Sequence, residues 1–78
     1  MVDEMSPVAL YIQLADLLAK QIEDGKLKPR QPVPSETHLQ QEYGVSRGTV
    51  REAVRLLRER GLVVTLPARG SYVAERKP

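Results

Sequence analysis

Apolar residues at Leu10, Leu14, Leu17, Leu18 and Ile22 recur at spacings of four, three, one and four. That rhythm draws one stripe along a helix and predicts an amphipathic segment over about residues 7–24. Ser6 offers a hydroxyl to cap the free N–H groups at its start, and Pro7 suits a first turn, where no N–H is needed. Gly25 supplies a left-handed stop, and Pro29, Pro32 and Pro34 keep residues 26–34 extended, with room for one short edge strand near Val33. Ser35 then caps a second helix, 35–43, with Glu36 in the first turn where the helix dipole favours negative charge. Leu39 and Tyr43 lie four apart and face the core, Gly44 can take the positive φ that ends the helix, and Val45 plugs the turn. Ser46 caps a third helix, 46–60, whose apolar positions Val50, Ala53, Val54 and Leu57 fall at i, i+3, i+4 and i+7. Two helices joined by Gly44-Val45-Ser46 form a helix-turn-helix pattern. Past Gly61 the composition changes to that of strands: a β-rich run from Leu62 to Leu66, a four-residue tip at Pro67-Ala68-Arg69-Gly70, then Ser71-Tyr72-Val73. The expected fold is mainly α with a small β-hairpin over 62–74, three helices plus a wing, and the hairpin must pack on the helices because alone it is marginal in water.

Composition narrows what such a fold can do. Seventy-eight residues allow one small domain, and with no Trp, no Phe and three Tyr the core must be built from Leu, Val, Ile and Ala. The absence of Cys excludes disulfides, thiolate catalysis and Cys-based zinc sites, and a single His leaves no nucleophile–base pair to assemble. We therefore expect no enzyme, no metal site and no cofactor. No apolar run approaches the roughly 18–20 residues that span a bilayer, and the acidic start at Asp3 and Glu4 is unlike a signal peptide, so no membrane partner and a cytoplasmic location are expected. The net charge of +2 is unevenly spread. Residues 1–24 hold one base and five acids, net −4, whereas residues 25–78 hold eleven bases and five acids, net +6. A basic surface built by the later elements implies a polyanionic partner.

Arg47, Arg51, Arg55 and Arg58 fall at i, i+4, i+8 and i+11 of the third helix, a quarter turn from its apolar seam. At about 1.5 Å per residue they line roughly 16 Å of axis. DNA phosphates repeat on that scale, a major groove about 12 Å wide admits a helix, and Arg matches the O6/N7 edge of guanine by bidentate hydrogen bonding. On an isolated helix the same stripe reads as a solvated face paired with Glu52 and Glu59; in the second helix of a helix-turn-helix it reads as a DNA-facing one. Gly48 is a poor helix former beside Arg47, which suggests close backbone approach to a partner. Arg69, between Ala68 and Gly70 on a narrow tip, has the shape to enter a minor groove. His38 reads as a surface residue, and Tyr11, Tyr43 and Tyr72 as packing residues with wet hydroxyls.

The motifs Tyr11-Ile12-Gln13-Leu14, Pro34-Ser35-Glu36, Gly44-Val45-Ser46-Arg47-Gly48-Thr49-Val50-Arg51-Glu52-Ala53, Leu57 to Gly61-Leu62-Val63 and Arg69-Gly70-Ser71-Tyr72-Val73 together cover residues 7–74. In that order they resemble the N-terminal winged helix-turn-helix domain of GntR-family bacterial transcription regulators, and the opening Pro7 to Gln13 looks most like the HutC-type branch. The resemblance implies that Arg47 and Arg51 reach base edges or nearby phosphates, that Ser35, Ser46 and Thr49 contact the DNA backbone, and that the wing tip enters the minor groove. Three positions depart from the family pattern. Thr37 stands where a base-reading Arg is frequent, Ala68 replaces the first wing-tip glycine, and Arg30 replaces a glycine in the link.

The expected DNA-binding set is therefore Ser35, Thr37, Ser46, Arg47, Gly48, Thr49, Arg51, Arg55, Ala68, Arg69 and Gly70. The expected function is sequence-specific binding of double-stranded DNA at an inverted-repeat operator, as the head of a transcription repressor. The resemblance further implies a homodimer in the full-length protein, with a monomeric isolated head, and a small-molecule effector bound only through a C-terminal domain outside this chain; residues 75–78 would begin the linker. A rival reading makes the winged helix a protein-interaction module, its arginine stripe meeting an acidic patch. RNA is disfavoured because its deep, narrow A-form groove excludes a helix and no aromatic stacking platform is present.

Overall fold

A computed structural model describes residues 2–75, so residues 76–78, expected to open a linker, lie outside the described residues. The element order is α1 (Leu10–Glu23), α2 (Glu36–Tyr43), α3 (Arg47–Glu59), β1 (Val63–Leu66) and β2 (Gly70–Val73). The architecture is three helices plus a two-stranded antiparallel wing.

Helix α1 starts at Leu10, three residues after the expected Pro7. The reason is local. Ser6 Oγ accepts from Val8 N at 3.1 Å, closing a turn outside the helix, and no side chain caps α1 at Ala9. The chain before the helix is held instead by Gln13, whose Nε2 donates to Asp3 O (2.9 Å) and Val8 O (2.7 Å) while its Oε1 accepts from Asp3 N (2.6 Å). A hydroxyl that serves a tight turn cannot also cap the following helix.

The other two helices are capped as their sequences dictate. Ser35 Oγ accepts from His38 N at 3.1 Å, and Ser46 Oγ accepts from Thr49 N at 3.1 Å. Gly44 takes φ +65, the left-handed conformation that turns α2 into α3 within three residues. The core lies where the three helices meet the base of the wing. Leu14 and Leu18 of α1, Leu39 of α2, Val50 and Leu57 of α3 and Val73 of β2 are the largest fully buried side chains. Tyr43 is half-buried against this cluster, and its hydroxyl accepts from Gln21 Nε2 at 3.0 Å, tying α2 to α1. Asp16 and Arg60 (2.9 Å) pin the far end of α3 to α1.

The wing pairs Val63 with Val73, Val64 with Tyr72, Thr65 with Ser71 and Leu66 with Gly70. Gly70 thus opens β2, so the tip is three residues, 67–69, rather than the four expected. Arg69 N donates to Leu66 O at 3.0 Å, with Pro67 at i+1 and Ala68 at φ +62 at i+2, the pattern of a type II turn. The link joins the wing as well. Arg30 N donates to Val73 O, Val73 N to Gln31 O and Val33 N to Ser71 O, with a bridge from Pro32 to Tyr72. Where a short edge strand is expected near Val33 the chain forms a single isolated bridge, and Pro32 fits it because an edge position can forgo an N–H.

Candidate nucleic-acid interface

Helix α3 docks by its apolar seam, so the side chains a quarter turn away are left to solvent. Val50, Ala53 and Leu57 are buried, while the side chains of Arg47 and Arg51 remain 63% and 61% exposed. Both meet one carboxylate. Arg51 Nε donates to Glu36 Oε2 at 3.0 Å, and Arg47 Nε lies 3.7 Å from Glu36 Oε1. Glu36 stands in the first turn of α2, so the packing of α2 on α3 brings it beside both guanidiniums. An exposed pair of this kind adds little stability, but it does set the direction in which two long side chains point. The arginines are braced rather than tucked in, and α3 still presents them outward.

Arg55 differs. Its Nη2 donates to Glu52 Oε2 at 3.0 Å and its Nη1 to Glu59 Oε1 at 2.8 Å, both on its own helix. The hydrogen bond to Glu52, then the charges of Glu52 and Glu59, push the Arg55 pKa above its ordinary value. In return, the same hydrogen bond and the Arg55 charge hold Glu52 below the usual glutamate range. Arg55 is therefore neutralised on its own helix, whereas Arg47 and Arg51 share the single carboxylate of Glu36.

Around that start the remaining expected residues gather. Ser46 donates to Thr49 Oγ1 at 3.0 Å besides capping, so these two hydroxyls form one small polar corner at the helix entrance. Gly48 sits beside it in open space, where an added Cβ would meet only Ser46 Oγ at 3.9 Å. Nothing inside the molecule requires a glycine there. Ser35 and the exposed Thr37 lie at the entrance of α2, next to Glu36. Ala68 and Arg69 lie on the exposed wing tip and Gly70, also exposed, follows as the first residue of β2, and Tyr72 Oη donates to Arg69 O at 3.3 Å, fixing the turn that carries Arg69. The structure thus groups the expected residues at the start of α2, along α3 and at the tip of the wing.

Three residues make contacts that sequence reasoning did not reach. Glu36 was read only as a helix-end charge; its service to Arg47 and Arg51 depends on how α2 packs, which spacing alone does not show. Gln13 belongs to a recognised motif but its three bonds reach backbone atoms, which no side-chain pattern marks. Arg58 Nη1 donates to Thr65 Oγ1 at 3.1 Å, and Thr65 shares a hydrogen bond of 3.0 Å with Ser71, linking α3 to both wing strands. Among the described residues no group of His, Cys, Asp and Glu could hold a metal ion, and no helix is long and apolar enough to cross a membrane.

The profile of the family described as bacterial regulatory proteins, gntR family, matches residues 10–73. This chain belongs to the gntR family. Its fold is also that of a solved DNA-binding domain in complex with an operator. AraR(DBD) in complex with operator ORR3 is 34% identical, with a TM-score of 0.77, covering 95% of this chain and 92% of that one. Among curated relatives, the HTH-type transcriptional repressor NagR of Bacillus subtilis (strain 168) is 38% identical over 76 residues, 97% of this chain and 31% of the relative. The mannosyl-D-glycerate transport/metabolism system repressor MngR of Escherichia coli (strain K12) is 46% identical over 68 residues, 87% of this chain and 28% of the relative. The chain thus spans about three tenths of the length of the curated relatives it matches.

Proposed function

We propose that this chain is the operator-binding head of a cytoplasmic transcription repressor of the HutC-type branch, reading double-stranded DNA by sequence. Helix α3 enters the major groove by its N-terminal end, and the wing tip lies in the adjoining minor groove. The observation that carries the reading is the pair Arg47 and Arg51, exposed on the first two turns of α3 and braced by Glu36. Guanidiniums held in one direction lose less freedom when they meet a base edge, and Arg presents the fork that guanine O6 and N7 accept. Ser35, Thr37, Ser46 and Thr49 lie where phosphates flank the groove, Gly48 lets the backbone come close, and Ala68, Arg69 and Gly70 face the minor groove. Arg55, met by two carboxylates, serves as a weaker phosphate contact. Two heads of a homodimer would bind an inverted repeat, because two-fold protein symmetry demands two-fold operator symmetry. A small-molecule effector would act through a domain outside this chain.

The test is selection of bound duplexes from a random pool. It should enrich one short motif, and Arg51→Ala should relax one position of that motif at a cost of about 1–3 kcal/mol. A pool that emerges unenriched would contradict sequence-specific recognition.

A further inference from the structure

A cleft of about 330 Å³ runs between α3 and the wing, lined by Val33, Pro34, Glu36, Arg51, Val54, Arg58 and Ser71. Its lining comes from the link, the start of α2, α3 and β2, and it opens between the two elements assigned to adjacent grooves, where the sugar-phosphate strand that divides those grooves must pass. Its cations are Arg51 and Arg58, and its one carboxylate, Glu36, is already engaged by Arg51 and Arg47. Arg58 is exposed and forms no ion pair among the described residues. Its Nη1 is held by Thr65 Oγ1, which in turn bonds Ser71 Oγ, while a guanidinium has five N–H donors in all. The remaining donors have no partner among the described residues, and Arg58 lines the cleft with Ser71, an arrangement suited to a phosphodiester oxygen.

We infer that Arg58 is a phosphate-binding residue of this chain, gripping the strand between the two grooves, with the wing hydroxyls of Thr65 and Ser71 holding its guanidinium in place. The inference rests on the DNA-binding reading and extends it. It assigns the contact to Arg58 rather than to Arg55, because Arg55 spends its donors on Glu52 and Glu59 whereas Arg58 faces the cleft with no carboxylate of its own. It also makes helix and wing act as one clamp, since the same side chain is bonded to one and rooted in the other.

The experiment measures binding of this chain to a mixed-sequence duplex and to a selected duplex across a salt series, for the wild type, Arg58→Ala, Arg58→Lys and Arg55→Ala. Arg58→Ala should weaken both duplexes alike, by about three- to tenfold near 0.1 M salt, and flatten the slope of log K against log salt by about 0.9, the loss of one phosphate contact. Arg58→Lys should restore the slope, and Arg55→Ala should change it less than Arg58→Ala does. Melting curves matching the wild type will confirm that each variant is folded. If Arg58→Ala leaves slope and affinity unchanged while the wild type binds, the Arg58 assignment is wrong and DNA binding stands. A wild type that binds neither duplex removes both readings.

Discussion

Gly48 and Ala68 pose opposite questions at the residue scale. Gly48 has an ordinary helical backbone and free space around its Cα, so alanine there should stabilise the helix by up to about 1 kcal/mol. If its place is against a DNA backbone, Gly48→Ala should raise the melting temperature and still weaken binding; a variant that gains stability and keeps full affinity would show the glycine has no contact to make. Ala68 holds φ +62, a conformation that costs a residue with a Cβ about 1–2 kcal/mol. Arg30, at φ +69, is the only other non-glycine residue in that region among the described residues. Both are positions where the family pattern has glycine, so the departures seen in the sequence become local strain in the fold. Ala68→Gly should therefore raise stability by about 1 kcal/mol, less the added freedom of the unfolded chain, and calorimetry checks it. The left-handed positions could be suspected from the missing glycines, but only backbone angles show that the chain kept the conformation after losing the residue suited to it.

The elements themselves were largely legible. Period-3.6 stripes placed α1, α2 and α3, and the change to a run rich in β-branched residues after Gly61 placed the wing. What the pattern missed lay at element ends. Ser6 served a turn rather than a cap, and Gly70 joined a strand because its partner Leu66 fixed the register. In the candidate site, residue types and spacing gave the arginine stripe, whereas the pairing of Arg55 within its own helix, unlike Arg47, Arg51 and Arg58, depended on which carboxylates the rotamers reach. That pairing has a titration signature. Glu52 should protonate below the usual glutamate range, so any support from its pair with Arg55 is complete above that range and fades as the pH falls through its lowered midpoint. In carboxyl-detected NMR, Arg55→Ala should return Glu52 towards its ordinary value; an unmoved midpoint would mean the pair is not formed in solution. The cap of α3 is testable too. Ser46→Ala should cost about 1 kcal/mol in denaturant unfolding, for the lost bond to Thr49 N.

At the scale of the whole molecule, charge and packing divide the labour. The acidic excess lies in residues 1–24, on α1 and the residues flanking it, and α1 contributes Leu14 and Leu18 to the core, while the basic excess falls in residues 25–78, which build the proposed DNA-facing side. Such a dipolar head orients as it nears a polyanion and holds its acidic side away from it. The small core leaves little reserve, so Leu57→Ala, which empties a fully buried site in the middle of the interface helix, should cost about 2–5 kcal/mol and lose binding only as far as it loses folding. The central claim is that the start of α3 and the wing tip meet a duplex together. Backbone amide shifts recorded while the chain is titrated with a mixed-sequence duplex at low salt test it most directly. The account predicts the largest shifts at residues 46–51 and 67–70, with smaller ones at 35–37 and little along the outer face of α1. Shifts confined to α1, or spread evenly with both of those segments silent, would contradict it.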